Sequence, residues 1–160
     1  MSSRIQRTVS PSGQSVELLP QAAAAIQAHA LGGYPHEVVG ILAGHRGSGR
    51  VSQIHRLVNR RQDRAADRYE VDPLALMKAE RSLEAEGLEI VGYYHSHPDH
   101  PAMYSDTDRD LALPEMAYLI ASVGSTSNGV STPQLLELRC WRLRDDRGEM
   151  LEDHLLAPLS

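Results

Sequence analysis

The sequence predicts an α+β or α/β fold in which helices pack against a mixed β-sheet. Two observations lead to this prediction. Segments with the period of a helix alternate with short apolar segments typical of strands, and several strands follow one another across short turns. The chain has 160 residues, of which 41% are hydrophobic and 23% charged, as is usual for one globular domain. We therefore predict a single domain over residues 1–160, with residues 1–15 as a loose N-terminal arm or an edge strand.

The first half of the chain is predicted to contain two helices and two strands. An alanine-rich helix over residues 20–31 has a proline in its first turn and a pair of glycines after its last. Residues 37–43 form the short apolar run of a buried strand, and residues 51–58 predict a strand that could contain a bulge. A helix over residues 72–87 begins with Asp-Pro, residue types favoured at the N-cap and the first helical position.

The second half is predicted to be richer in strands. Residues 88–95 are strongly apolar and predict a buried strand. Pro98 and Pro101 cannot continue a central ladder, so we predict that this strand ends here and that residues 97–104 form a loop. A short helix over residues 105–111 follows, and the remaining predicted strands are residues 117–123, 135–143 and 150–156.

Composition excludes several classes of protein. The formal net charge is −5, which indicates no global nucleic-acid footprint. No window of about 18 uncharged apolar residues predicts a membrane span, and the N-terminus lacks the apolar core of a signal peptide. The one cysteine, Cys140, allows no intramolecular disulfide and is interpreted as a small core residue. We expect a cytoplasmic protein without nucleic-acid or membrane partners; the sequence indicates no oligomeric state.

The basic residues are unevenly distributed. Fifteen are arginines, one is a lysine, and five of the arginines lie close together in the sequence. A solvated loop is the favoured interpretation of this run, and a docking patch for an acidic partner is the alternative. The run consists of Arg56, Arg60, Arg61, Arg64 and Arg68.

Two histidines at the end of the predicted strand 88–95 indicate a metal site. Side chains two residues apart in a strand point to the same side, so His95 and His97 project together while Ser96 points away. Two neutral imidazoles at this spacing can hold one divalent ion at about 2.0–2.1 Å each.

A third ligand is expected from the next helix. Ser105 has the residue type of an N-cap, and Asp108 falls at the third helical position, from which its carboxylate can reach the strand end. Two imidazoles, one carboxylate and an open position are typical of catalytic zinc, where the pKa of a water falls to about 7. His100, three residues after His97, is the alternative ligand.

A hydrolytic metal site also requires a general base that is not a ligand. Glu37 is the best candidate, because it stands at the start of a strand otherwise composed of apolar residues and glycine. A carboxylate in that position is costly to bury unless it has a function. The spacing alone does not place Glu37 beside His95.

These residues resemble the signature of the JAMM (MPN-plus, Mov34/PAD-1) zinc metalloproteases. That signature is a glutamate, later His-[Ser/Thr]-His, seven residues, and then Ser-x-x-Asp. Here it corresponds to Glu37, to His95-Ser96-His97, to residues 98–104, and to Ser105 with Asp108. The resemblance extends over residues 16–145 and includes the Gly-Tyr-Tyr that precedes the histidine pair.

The resemblance implies a cytidine-deaminase-like JAMM/MPN core and a role for each matched residue. It implies one zinc ion per chain, held by His95, His97 and Asp108. It implies that Glu37 is the base that takes a proton from water and passes it to the leaving amine. Ser105 would donate to the oxyanion of the tetrahedral intermediate.

The resemblance further implies cleavage of the peptide or isopeptide bond after a C-terminal Gly-Gly. The partner would be a ubiquitin-like or sulfur-carrier protein, because the chain lacks the long insertions of members that select polyubiquitin linkages. Three alternatives are weighed. The first is a related, DNA-repair-associated group, which carries His-Asn-His-Pro where this chain has His-Ser-His-Pro. The second is a non-catalytic scaffold of the same fold, which would lack the glutamate or one of the ligands. The third is a zinc deaminase, which would need an additional pair of cysteines.

Overall fold

The computed structural model describes residues 10–61, 70–125 and 132–158. Within these ranges the chain forms three helices and eight strands. The helices are α1 (Pro20–Gly33), α2 (Pro73–Ala85) and α3 (Asp106–Leu111). The strands are β1 (Ser15–Leu18), β2 (Val39–Gly44), β3 (Arg50–Val51), β4 (Gln53–Leu57), β5 (Glu89–Pro98), β6 (Ala117–Ser125), β7 (Pro133–Leu143) and β8 (Met150–Leu156).

The strands form one mixed sheet, as predicted. Their order is β3-β1-β8-β7-β6-β5-β2-β4. Strand β1 runs parallel to β3 and β8, and β5 runs parallel to β6, whereas the other neighbours are antiparallel. Strands β3 and β4 lie at opposite ends of this order but are separated in the chain by Ser52 alone. The sheet must therefore curl until its two ends meet.

The helices cover both faces of the sheet, which confirms the predicted fold class. Four buried residues of α1 share one core with side chains of β2, β5 and β6, and these four are Ala22, Ala23, Ile26 and Ala30. Ala79 and Leu83 of α2 pack on the opposite face against alternate residues of β2 such as Ile41. The segment that carries α3 covers a third cluster on that opposite face, around Tyr118 and Trp141.

Both predicted helix starts are confirmed, but the predicted end of α1 is wrong. Helix α1 begins at Pro20 and does not stop at residue 31, because it includes the pair of glycines and ends at Gly33. The Asp72 carboxylate accepts a hydrogen bond from the Leu74 amide at 3.0 Å and so caps α2. Gly87, which follows α2, has a φ of +77°, a conformation that glycine adopts without steric cost. The predicted strand over residues 51–58 is interrupted at Ser52, which separates β3 from β4.

The predicted end of the strand that carries the histidines is also wrong. Strand β5 does not end before the prolines but includes His97 and Pro98. The amide of Ser96 donates to the Val38 carbonyl on the β2 side, and the nitrogen of Pro98 faces the same side. Because β2 begins at Val39, no strand partner lies there, and the missing N–H of proline costs no ladder hydrogen bond.

The predicted N-terminal arm is partly attached to the sheet. Residues 1–9 lie outside the described residues. The Ser12 amide donates to the Glu152 carbonyl at 3.1 Å, and the Ser12 hydroxyl donates to the Asp153 carboxylate at 2.6 Å. Strand β1 then continues beside β8.

In the described segments, no helix is both long and apolar enough to cross a bilayer.

Two further predictions concern Cys140 and the arginine run. Cys140 is fully buried in the core and its thiol contacts the Asp153 carboxylate at 3.5 Å, which confirms that it is a small core residue. Arg64 and Arg68 lie outside the described residues. Arg60 is half-exposed and 3.8 Å from the Asp72 carboxylate, an arrangement that agrees with a solvated loop.

A partly buried histidine on α1 makes the stability of the fold depend on pH. Burial, together with the Arg56 charge, lowers the pKa of His29 to about 4, and His29 Nδ1 lies 2.7 Å from the Tyr94 hydroxyl. The pKa is therefore lower in the folded state than in the unfolded state, so the unfolded state binds more protons between pH 6.5 and pH 4. Neutral His29 therefore contributes fully to the free energy of unfolding above pH 6.5, and this contribution is lost as the pH falls from 6.5 to 4.

We expect His29→Gln to remove this pH dependence. Between pH 7 and pH 4.5, the free energy of unfolding of the metal-free wild type should fall by roughly 1–2 kcal/mol more than that of the variant. Urea unfolding at both pH values, in the presence of a chelator, measures the difference. Equal pH slopes in the two proteins would show that His29 is not responsible.

Candidate metal centre

The two histidines lie where β5 passes between β2 and β6. His95 is opposite Val39 of β2, and His97 is opposite Ser122 of β6. The two imidazoles project to the face opposite α1, and their Nε2 atoms are 3.0 Å apart. His95 is 2% exposed. Two ring nitrogens held this close in a buried position are arranged to share a proton or a cation.

The intervening Ser96 faces the other side of β5, as predicted. Its hydroxyl is fully buried and accepts a hydrogen bond from the Val38 amide at 2.9 Å. This bond extends the pairing of β5 with the segment before β2. Ser96 therefore fixes the backbone at Val38, next to Glu37. The sequence did not indicate this role for the serine between the two histidines.

The orientation of His97 is set by the turn that follows β5. Its Nδ1 lies 2.9 Å from the Pro101 carbonyl oxygen. A carbonyl only accepts, so Nδ1 carries the hydrogen, and in the neutral ring Nε2 presents its lone pair to the site. Burial opposes protonation of His97, but hydrogen bonds to Asp108 and Pro101 outweigh it and raise the pKa. The surroundings therefore favour a positive charge at this point.

Asp108 reaches the histidines from the first turn of α3. Its Oδ1 lies 3.3 Å from His95 Nε2, and its Oδ2 lies 3.4 Å from His97 Nε2. Burial disfavours the ionised carboxylate, but the hydrogen bonds with His95 and His97 outweigh it and hold the pKa of Asp108 well below its usual range. The group is an anion at neutral pH.

Ser105 forms the predicted capping box with Asp108. The Ser105 amide donates to Asp108 Oδ2 at 2.9 Å, and the Asp108 amide donates to the Ser105 hydroxyl oxygen at 3.0 Å. The capping box holds the Asp108 carboxylate in place beside the strand end. Because the Ser105 hydroxyl acts as an acceptor in this bond, its own hydrogen can be donated to another group.

Glu37 lies on the same side of the sheet as the histidines. It comes two residues before Val39 and is 4% exposed, and its Oε1 is 4.0 Å from His95 Nε2. Its backbone carbonyl accepts from the Asn59 side-chain amide at 2.9 Å. Asn59 also accepts from the Glu70 amide, so it links Glu37 to the segment before α2. The sequence contained no signal that singled out Asn59.

The site thus brings together all five residues that the sequence analysis named: Glu37, His95, His97, Ser105 and Asp108. Ligand atoms of Glu37, His95 and His97 lie within 4.8 Å of one another. His100, the alternative ligand, is not part of this cluster in the portion of the chain that the structure describes. Its backbone carbonyl instead accepts a hydrogen bond from Ser122.

The distances distinguish the two carboxylates. Ligand atoms about 2.0–2.1 Å from a tetrahedral zinc ion are about 3.3–3.4 Å from one another. The Asp108 oxygens lie at 3.3 and 3.4 Å from the histidine nitrogens, whereas the nearest Glu37 oxygen is 4.0 Å from His95. Asp108 is therefore the carboxylate nearer to the two imidazoles, with a different oxygen facing each of them, and Glu37 lies farther from His95.

A comparison with curated proteins finds bacterial and archaeal relatives. A "Probable TtuB-protein conjugate cleaving protease" of Thermus thermophilus is 39% identical over 94 residues, 59% of this chain and 61% of that protein. A "Desampylase" of Haloferax volcanii is 39% identical over 95 residues, 58% of this chain and 67% of that protein. A "CysO-cysteine peptidase" of Mycobacterium tuberculosis is 33% identical over 122 residues, 76% of this chain and 77% of that protein.

Solved structures agree with the fold. A solution structure of a protein from Desulfitobacterium hafniense matches with a TM-score of 0.70 at 25% identity, over 91% of this chain and 94% of that one. A JAB1/MPN domain protein from Archaeoglobus fulgidus has a TM-score of 0.50 at 15% identity, over 89% of this chain and 98% of that one, and it shows the shared fold. The family described as "Prokaryotic homologs of the JAB domain" matches residues 19–144. The family resemblance inferred from the motif is thereby confirmed, and this chain belongs to the prokaryotic homologues of the JAB domain.

Proposed function

We propose that this protein is a zinc-dependent peptidase that cleaves ubiquitin-like conjugates. Its substrate would be the peptide or isopeptide bond after the C-terminal Gly-Gly of a ubiquitin-like or sulfur-carrier protein. One observation carries the proposal: two imidazoles and the Asp108 carboxylate converge at 3.0–3.4 Å, with the Glu37 carboxylate beside them. The names of the relatives support the same class of substrate.

The donor set fits zinc. Zinc in catalytic sites is commonly held by three protein ligands drawn from imidazole and carboxylate groups. His97 is held in the tautomer that presents Nε2, and Asp108 is an anion at neutral pH. His95, His97 and Asp108 would hold the ion. When bound, it would supply a Lewis acid that polarises the scissile carbonyl and lowers the pKa of a water molecule.

The remaining residues would handle protons and charge. Glu37 would accept a proton from the attacking water as the carbon–oxygen bond forms, and would return it to the amine as the carbon–nitrogen bond breaks. The Ser105 hydroxyl would donate to the oxygen on which negative charge develops. Burial of Glu37 keeps this carboxylate out of bulk water, where it would be less effective as a base.

The choice of substrate follows from the size of the chain and from its relatives. The segments between β2 and β3 and between α3 and β6 are short, so the described chain offers no large insertion that could select a polyubiquitin linkage. An extended Gly-Gly tail beside a strand would present its last carbonyl without side-chain obstruction. This chain matches only 61% of the length of the Thermus thermophilus protease. We therefore propose the activity of that protein for this chain and do not infer it from the similarity alone.

The experiment combines metal analysis with a cleavage assay. Ubiquitin-fold carrier proteins that end in Gly-Gly are fused to a folded reporter and incubated with the purified protein. We expect one zinc ion per chain and a product whose mass corresponds to cleavage after the second glycine. Activity should disappear with a chelator and return with zinc. Stoichiometric zinc without cleavage of any such fusion would favour a binding scaffold of the same fold.

A further inference from the structure

Three consecutive carbonyl groups after β5 are each held by a different strand. The His100 carbonyl accepts from the Ser122 hydroxyl on β6 at 2.5 Å, and the Pro101 carbonyl accepts from His97 Nδ1 on β5 at 2.9 Å. The Ala102 carbonyl accepts from the Trp141 indole N–H on β7 at 3.0 Å. The turn that orients His97 is therefore attached to three neighbouring strands.

Ser122 occupies an unusual position within this arrangement. It lies on β6 directly opposite His97 and is 4% exposed. The other buried residues of β6 are apolar or glycine, apart from Tyr118, whose hydroxyl accepts from the Leu113 amide. A buried hydroxyl in such a strand is costly unless it forms a hydrogen bond, and here its partner is the carbonyl next to Pro101. The hydrogen bond to the turn after β5 therefore explains why a serine occupies this position in β6.

We propose that Ser122 is a positioning residue for His97. By holding the His100 carbonyl, the Ser122 hydroxyl fixes the peptide that leads into Pro101, so that the Pro101 carbonyl points at His97 Nδ1. That contact keeps the hydrogen on Nδ1 and leaves the Nε2 lone pair directed at the metal position. The inference rests on the proposed function insofar as it takes His97 Nε2 to be a zinc ligand.

Loss of the Ser122 hydroxyl has a specific consequence. The His100 carbonyl would lose its partner, and the turn could rotate to satisfy that carbonyl elsewhere. The Pro101 carbonyl would then no longer select between the two neutral tautomers of His97. In the tautomer with hydrogen on Nε2, the nitrogen that faces His95 and Asp108 cannot bind a metal.

The experiment measures the tautomer and the metal affinity separately. Nitrogen-15 spectra of the histidine rings in the metal-free protein at pH 8 report which nitrogen of His97 carries hydrogen. Competition with a chelator of known affinity reports the zinc Kd. We expect Ser122→Ala to give a mixture of His97 tautomers and about tenfold weaker zinc binding. Ser122→Thr keeps the hydroxyl and should preserve the Nδ1–H tautomer.

A matched control is available at the far side of the sheet. Ser12→Ala also removes a serine hydroxyl, which donates to Asp153 at 2.6 Å, accepts from the Gln14 amide at 3.1 Å and lies 3.5 Å from the Ser10 hydroxyl, and it should change neither measurement. An unchanged tautomer and a Kd within twofold of wild type in Ser122→Ala would overturn the inference, as would a shifted tautomer in Ser122→Thr. If the wild type itself binds no zinc, the proposed function fails, while the tautomer comparison still decides the role of Ser122.

Discussion

Replacing Asp108 with asparagine is expected to weaken zinc binding by more than about 100-fold, because loss of a group that only orients a metal ligand already costs about 10–100-fold. Asparagine has the shape of aspartate and can still accept the hydrogen bond from the Ser105 amide. It lacks the negative charge that faces His95 and His97 at 3.3 and 3.4 Å. Cleavage of a Gly-Gly fusion should be lost in parallel at limiting zinc. Chelator competition and metal analysis measure the effect.

The control for Asp108→Asn lies on the same short helix. Asp110→Asn changes an aspartate whose side chain is 68% exposed and whose carboxylate pairs with the Arg109 guanidinium, so its zinc affinity should equal that of the wild type. Without metal, Asp110→Asn should unfold in urea within about 1 kcal/mol of the wild type. Asp108→Asn should lose more stability, because the low pKa of Asp108 means that its ionised carboxylate stabilises the folded state. Wild-type zinc affinity in Asp108→Asn would exclude Asp108 as a ligand and would leave Glu37 as the carboxylate that holds the ion.

Local rules were sufficient to predict the elements that carry the site. The apolar segment of β5, the Asp72 cap of α2 and the capping box at Ser105 each depend on residues close together in the sequence. The same holds for the projection of His95 and His97 to one face, since it follows from the two-residue period of a strand. For Asp108, the capping box holds the carboxylate beside the strand end, so its position could also be predicted from a short motif.

Features that depend on strand pairing could not be predicted. Glu37 lies beside His95 only because β2 pairs antiparallel with β5 in the register that places Val39 opposite His95. Nothing in residues 37–43 specifies that partner or that register. The extension of β5 through Pro98 has the same origin, because it depends on where β2 begins. Ser122 is beside His97 through the parallel pairing of β5 and β6, and its sequence neighbours suggest only a buried strand.

Replacing Glu37 with glutamine is expected to lower kcat by about 10³-fold while leaving zinc binding close to that of the wild type. Glutamine is nearly isosteric with glutamate, so the buried pocket beside His95 should stay filled, but the amide cannot accept a proton from water. KM for a Gly-Gly fusion should change little, because Glu37 is proposed to act on the proton and not to bind the carrier. Steady-state cleavage kinetics and metal analysis of the same preparation measure the two quantities together.

The two carboxylate variants then differ in zinc binding, and this difference tests the assignment of their roles. Glu37→Gln should retain zinc and lose turnover, whereas Asp108→Asn should lose both. Glu89→Gln is the control for Glu37→Gln, because Glu89 lies at the other end of β5, is half-exposed and pairs with Arg46. It should keep the wild-type kcat. Loss of zinc in Glu37→Gln would show that Glu37 is a ligand, which the 4.0 Å separation from His95 Nε2 argues against. Full turnover in that variant would require a different group to carry the proton from water to the leaving amine.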